Sequence, residues 1–351
     1  MSQTFLNGAH SMFTKENSYP RDESLARNVH QSPIPQTEAA GGQAATAVKT
    51  ATVLSKKGPW LSLHAPRSTV PRWLIEPFQP ISLKHLDAKA NMLDRRDNKY
   101  VVRANMLHRA IGELVQQFDI LEIDGKRDFT YDTCYFDDVE RTAYFDHHKG
   151  RRIRCKVRMR KYVDVDVCFV EVKLKHIRGM TIKERFQRPV EMYGTIDDEA
   201  RRFVESSYRD LYRREFNREL RPSLEMRYQR VTLVAKDGGE RVTIDTGIVF
   251  AGAPGAQTVD GDLILVEVKS GNANGIADKI LRSLHQHPTN TCSKYCVAMA
   301  ALNEVSKTNK FLVALRKLGV VPTSSGVWLA KPSHLTARQK TLTAPAGDML
   351  R

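Results

Sequence analysis

From about residue 95 the chain switches between two hydrophobic periods. Residues 104–118 place Leu107, Ala110, Ile111, Leu114, Val115 and Phe118 on one helical face, which predicts an amphipathic helix. Residues 129–136 read as a strand. Residues 152–162 alternate strictly between polar and apolar, and residues 166–175 alternate again. A charged helix is predicted over 197–218, strands near 223–235, 240–249 and 262–269, and helices near 276–286 and 303–318. Strands joined by short turns at these spacings favour antiparallel pairing. No regular strand–helix–strand alternation and no glycine fingerprint points to a doubly wound sheet. The expected class is α+β, an antiparallel β-barrel or tunnel with flanking helices.

Residues outside this region follow neither period. The stretch 1–82 is rich in proline and holds a small-residue tract at 39–47, so it reads as a largely disordered extension with a short ordered piece near Trp73, Leu74 and Ile75. Such an extension could serve a protein partner. Residues 83–320 read as one catalytic domain. Residues 321–351 read as a tail, with a short strand at Val327, Trp328 and Leu329.

Period 2 acquires a chemical meaning in the 152–162 strand. Arg152, Arg154, Lys156, Arg158 and Arg160 fall on one face; Ile153, Cys155, Val157 and Met159 fall on the other. Like charges in one row repel, and a solvated face would mix them with neutral or acidic residues. The row makes sense if phosphate oxygens lie between guanidinium groups, whose forks match them. In the next strand Glu171, Lys173 and Lys175 share a face opposite Val170, Val172 and Leu174. The tetrapeptide Val-Glu-Val-Lys at 170–173 recurs at 266–269, which suggests two related halves of one sheet. A carboxylate beside several cations suits a divalent ion bridging to phosphate. Arg227 and Arg230 lie on opposite faces of a regular strand, so one of them is expected to be structural.

Composition agrees with a polyanionic partner. The 351 residues carry 55 Lys and Arg against 40 Asp and Glu, a formal net charge of +15. Five cysteines in a chain of this length argue against a disulfide framework and fit a reducing, cytoplasmic setting. There is no long apolar run for a membrane span and no secretory signal pattern. No phosphate-binding Gly-Lys loop and no kinase signature set occurs. Cys292 and Cys296 with His285 and His287 do not give a zinc pattern, and His147 with His148 is expected in a hairpin turn. The 152–162 strand holds a single aromatic, Tyr162, so nucleic acid is disfavoured.

The order of these motifs resembles the VTC domain of polyphosphate polymerases, part of the CYTH or triphosphate-tunnel superfamily. The elements are Asn98-Lys99-Tyr100, opening a helix; Tyr135-Phe136-Asp137; Lys156 through Tyr162; Glu171-Val172-Lys173; Thr181 through Arg185; Tyr228-Gln229-Arg230; Arg241 through Asp245; Glu267-Val268-Lys269; and Ser293-Lys294-Tyr295. The resemblance implies an antiparallel tunnel and metal-dependent transfer of the ATP γ-phosphate to a growing polyphosphate chain, a polyphosphate-kinase-type activity with Mn2+ or Mg2+. Carried over, Arg158, Arg160, Lys173, Arg230, Arg241 and Lys269 would act on the transferring phosphates. Lys99, Arg154, Lys156, Lys183 and Lys294 would bind substrate. Glu267 would ligate the metal, with Glu171 as a second candidate. Thr291 stands where the eukaryotic enzymes carry a lysine. The competing expectations are a tunnel triphosphatase, with water in place of the polymer end, and a non-catalytic polyphosphate-binding module.

Overall fold

The computed structural model describes residues 70–89, 96–175 and 181–320. The strands are β1 (Pro80–Ile81), β2 (Arg96–Arg103), β3 (Phe118–Leu121), β4 (Asp128–Asp137), β5 (Arg154–Tyr162), β6 (Val167–Lys175), β7 (Thr181–Arg188), β8 (Arg221–Ala235), β9 (Glu240–Gly252), β10 (Gly255–Thr258) and β11 (Leu263–Ser270). The helices are α1 (Leu83–Lys89), α2 (Ala104–Gln117), α3 (Thr142–Lys149), α4 (Asp198–Tyr212), α5 (Ile276–Ser283), α6 (Lys294–Ala301) and α7 (Leu312–Lys317). All strands join one sheet in the order β2-β11-β9-β8-β4-β5-β6-β7, with β1, β3 and β10 off this path. Every neighbour on the path is antiparallel. The α+β expectation holds. Among the described residues the sheet curls around a lumen but is not closed, since β2 and β7 end the strand order without pairing with each other.

Strand parity sorts side chains between lumen and shell. On β5 and β6 the outward residues Cys155, Val157, Met159, Cys168, Val170, Val172 and Leu174 are buried against Ala200, Val204, Tyr208 and Tyr212 of α4. Fully burying each of these valines or leucines contributes about 1.5–3 kcal/mol, so the apolar parity fixes which face the cations must take. Over β2, β8, β9 and β11 the shell is closed by α2 and α5, with Leu107, Ala110, Leu114, Phe118 and Leu281 in the core. The predicted α2 face is thus the packed one. A third cluster joins α3, α6 and α7 to the sheet.

Several elements differ from the sequence reading. Leu74 and Phe78 are buried in the α2 core, so 70–82 belongs to the packed structure, and the ordered piece near Trp73 is a 3-10 turn at Arg72–Leu74. Residues 1–69 and the tail 321–351, including the strand expected at Val327–Leu329, lie outside the described residues. Asn98, Lys99 and Tyr100 lie on β2, and the helix opens only at Ala104. His147 and His148 lie in α3, which ends at Gly150 with φ of 71°. The charged helix stops at Tyr212 because Arg213 turns left-handed, φ 55°. The helix expected at 303–318 is α7 alone. All five cysteines are buried free thiols. Among the described residues no helix is long and apolar enough to cross a membrane.

Candidate active site

The inward face of the sheet surrounds a cavity of about 490 Å³. Thirteen Lys and Arg side chains line it, against three carboxylates, Asp97, Glu171 and Glu267. Every site residue expected from the sequence is in this lining: Lys99, Arg154, Lys156, Arg158, Arg160, Glu171, Lys173, Lys183, Arg230, Arg241, Glu267, Lys269 and Lys294. Arg152 is the exception to the expected row. It precedes β5, is exposed and does not reach the lumen. The two Val-Glu-Val-Lys segments occupy matching places, each on the strand next to a sheet end: β6 beside β7, and β11 beside β2.

Register brings the charges together. Across β5, β6 and β7, Lys156 pairs with Lys173, which pairs with Lys183. One step along, Arg158 pairs with Glu171, which pairs with Arg185. Glu171 is the hub of that step. Its Oε2 lies 2.5 Å from Arg158 Nε and 3.9 Å from Arg160 Nη1, and its Oε1 lies 3.0 Å from Lys183 Nζ. Burial opposes its ionisation, but the surrounding cations win and hold the carboxyl well below the usual range. With its side chain 1% exposed, Glu171 is an ion-pair hub and not an open metal ligand.

On the opposite wall Arg230 donates bidentately to Asp245, Nε to Oδ1 at 2.6 Å and Nη2 to Oδ2 at 2.9 Å. Lys294 Nζ, from the first turn of α6, reaches the same carboxylate at 2.5 Å. Arg227 faces the outer side and grips Asp132 at 2.6 Å through both Nε and Nη2, so Arg227 is the structural member of its pair, as parity requires. Glu267 accepts from Lys99 Nζ at 2.7 Å. Burial disfavours its charge, yet Lys99, Lys269 and Lys294 keep it well below the usual carboxylate range.

The lysine end is electrostatically strained. Burial, then Lys99, pushes Lys173 down to about 8. Burial likewise lowers Lys156, whose Nζ donates to Ser293 Oγ at 2.9 Å. A chain of phosphate oxygens would relieve both.

Aromatic rings also face the lumen. Tyr131, Tyr135, Tyr162 and Tyr295 line it, which corrects the impression of a lumen poor in aromatics. Their faces are engaged by protein cations: Arg160 and Arg230 stand 5.4 and 5.1 Å from the centre of Tyr131, and Arg158 is 6.0 Å from Tyr135. Tyr131 stacks on Tyr228 at 5.4 Å and 3°. Arginines packed on rings are held in place before any ligand arrives. Of these, Tyr162 ends the basic strand β5 itself, whereas Tyr131 and Tyr135 come from β4 and Tyr295 from α6; the strand pattern of 152–162 alone shows only Tyr162. The sequence motif contains Asp245 but does not reveal it as the anchor of Arg230 and Lys294. The loop residues Pro288 through Ser293, which complete the wall, carry no periodic signal.

A divalent ion suits Glu267 more than any other lumen carboxylate. Its charge is secured, and Thr243, its register partner on β9, has a buried hydroxyl without a hydrogen-bond partner. Among the described residues no cluster of three His, Cys, Asp or Glu forms a self-sufficient metal site. That is the donor set of an ion held by one carboxylate together with substrate phosphates and water.

Comparison with known proteins gives a consistent assignment. Residues 94–303 match the model of the VTC domain. No curated protein matches the chain. Among solved structures, the PH1819 protein of Pyrococcus horikoshii OT3 is 13% identical, with a TM-score of 0.36 over 60% of this chain and 99% of its own. HpAC1 of Hippeastrum, described as having a dominant triphosphatase activity, is 12% identical, with a TM-score of 0.35 over 58% of this chain and 94% of its own. The family match spans more than half of the chain and contains every residue of the cationic lumen discussed above; the protein belongs to the VTC domain family, and its function is related to triphosphate and polyphosphate.

Proposed function

We propose that this protein is a polyphosphate polymerase, transferring the γ-phosphate of ATP to a growing polyphosphate chain inside the lumen. The observation that carries this reading is the lining: thirteen cations and three carboxylates around about 490 Å³. Two of those carboxylates are already engaged by Arg158, Lys183 and Lys99. Linear phosphoanhydrides supply the missing negative charge along their whole length, which a nucleobase or a sugar does not.

Phosphoryl transfer depends on positioning and charge neutralisation. Arg158, Arg160 and Arg230, fixed by Glu171, Asp245 and the tyrosine rings, hold the oxygens of the transferring group. Lys173, Arg241 and Lys269 balance the charge that moves to the leaving diphosphate. Lys99, Arg154, Lys156, Lys183 and Lys294 hold the rest of the nucleotide phosphates and the polymer. The terminal oxygen of the polymer attacks the γ-phosphorus in line, the bond to the β-bridging oxygen breaks, and ADP leaves. A phosphate end is already ionised near pH 7, so no strong general base is required. Glu267, with Thr243 beside it, would hold Mn2+ or Mg2+, which when bound supplies positive charge to the phosphate oxygens.

The test is incubation with ATP and Mn2+ followed by gel separation of products. Chains of many phosphates are expected. Orthophosphate alone would instead establish a tunnel triphosphatase, and no turnover of any triphosphate would leave a binding module. Glu267→Gln is expected to lower turnover about a hundredfold or more while polyphosphate binding persists.

A further inference from the structure

One group on the lumen wall has no part in that scheme. His147 lies in the last turn of α3, at the end of the lumen where β5 begins and β6 finishes. Its ring is stacked on Phe311, with 5.9 Å between centroids and 14° between planes. Its carbonyl oxygen accepts from Lys310 Nζ at 3.2 Å. The imidazole is therefore pinned from behind. Among the described residues neither ring nitrogen makes a hydrogen bond.

The charges that face it are cations: Arg154 and Lys156 from β5, Lys173 from β6, and Lys310 from the segment before α7. Its neighbour Asp146 is occupied by Arg151 at 3.2 Å and Arg218 at 3.4 Å. Within α3, His148 is bonded to Asn309 at 2.8 Å, and Lys149 adds another positive charge. Across the lumen, Asp97 and Glu267 act on Lys99 and Lys173. Burial, then Lys156 and Arg154, pushes His147 down to about 2, so these surroundings favour the neutral ring. Phosphate oxygens between the ring and those cations would reverse the local field and favour imidazolium.

We propose that His147 is a proton-linked phosphate contact: phosphate oxygens bound among Arg154, Lys156 and Lys173 lie against the ring and draw a proton onto the imidazole. This rests on the reading of the lumen as a polyphosphate site. It makes phosphate chains bind more tightly as the pH falls.

The experiment is calorimetric titration of the full chain at pH 6 with long-chain polyphosphate and, separately, with tripolyphosphate, each in two buffers of different protonation enthalpy. With either polymer, H147Q should take up about one proton fewer than wild type. Between pH 7.5 and 5.5 wild type should tighten on the long chain about tenfold more than H147Q does. Titration of the polymer ends is common to both proteins and cancels. Equal proton uptake and equal pH profiles in wild type and H147Q would overturn the proposal and leave the polymerase reading intact. Failure of wild type to bind either polymer at any pH would overturn both.

Discussion

Glu171 contacts Arg158, Lys183 and Arg160 while its side chain stays 1% exposed. Removing it would leave those cations facing one another with no anion between them. Glu171→Ala is accordingly expected to cost about 3–5 kcal/mol of stability, the loss seen when one partner of a buried ion pair is deleted. Urea denaturation with and without tripolyphosphate checks this. The ligand should raise the midpoint more in the variant than in wild type, because phosphate oxygens replace the lost carboxylate. A variant as stable as wild type would remove Glu171 from its place as hub. The acid side of the profile has a definite sign. Since the folded carboxyl is held well below the usual value of 4.5, its contribution is present above about 4.5 and is lost as the pH falls through the lower folded value.

Gly275 precedes α5, and a Cβ there would overlap the Glu240 carboxylate. That carboxylate is not free to swing away: it accepts from Ile276 N at 2.6 Å and Ala277 N at 2.9 Å, capping the helix. Gly275→Ala should therefore cost about 1–2 kcal/mol through loss of the cap. Thermal unfolding should show the drop, and an unchanged midpoint would mean that Glu240 relaxes without loss. Elements of this kind differed in how well the sequence revealed them. β5 and β6 were visible because apolar Cys155, Val157, Val170 and Val172 alternate with charge. β7 escaped notice because Thr181 through Phe186 are all half-buried, so no apolar face stands out. α6 escaped because Tyr295 through Ala301 are buried on every side, which erases helical periodicity. β2 was misread as the start of α2 because the strand runs directly into the helix at Ala104. At the site itself, parity sufficed to list the inward cations. It gave no view of what each cation pairs with, since Asp245 meets Lys294 across 49 residues of sequence.

The excess of positive charge in the lumen belongs to the assembled sheet, drawn from β2, β5, β6, β7, β8, β9 and β11 together with α6. Affinity for tripolyphosphate should fall by about tenfold or more between 50 and 500 mM NaCl, as screening lengths shrink toward the spacing of these groups. Salt-independent binding, measured by the same titration, would argue for recognition by shape or by bases instead. Among the described residues β2 and β7 end the strand order without bonding to each other. Yet Lys99 and Asp97 of β2 act on Lys173 of β6, so β2 faces the strand next to the other margin across the cavity. A cylinder stitched all the way round admits cargo only by threading a free tip. A cylinder with an unstitched seam has one line along its length where no ladder of hydrogen bonds resists its spreading.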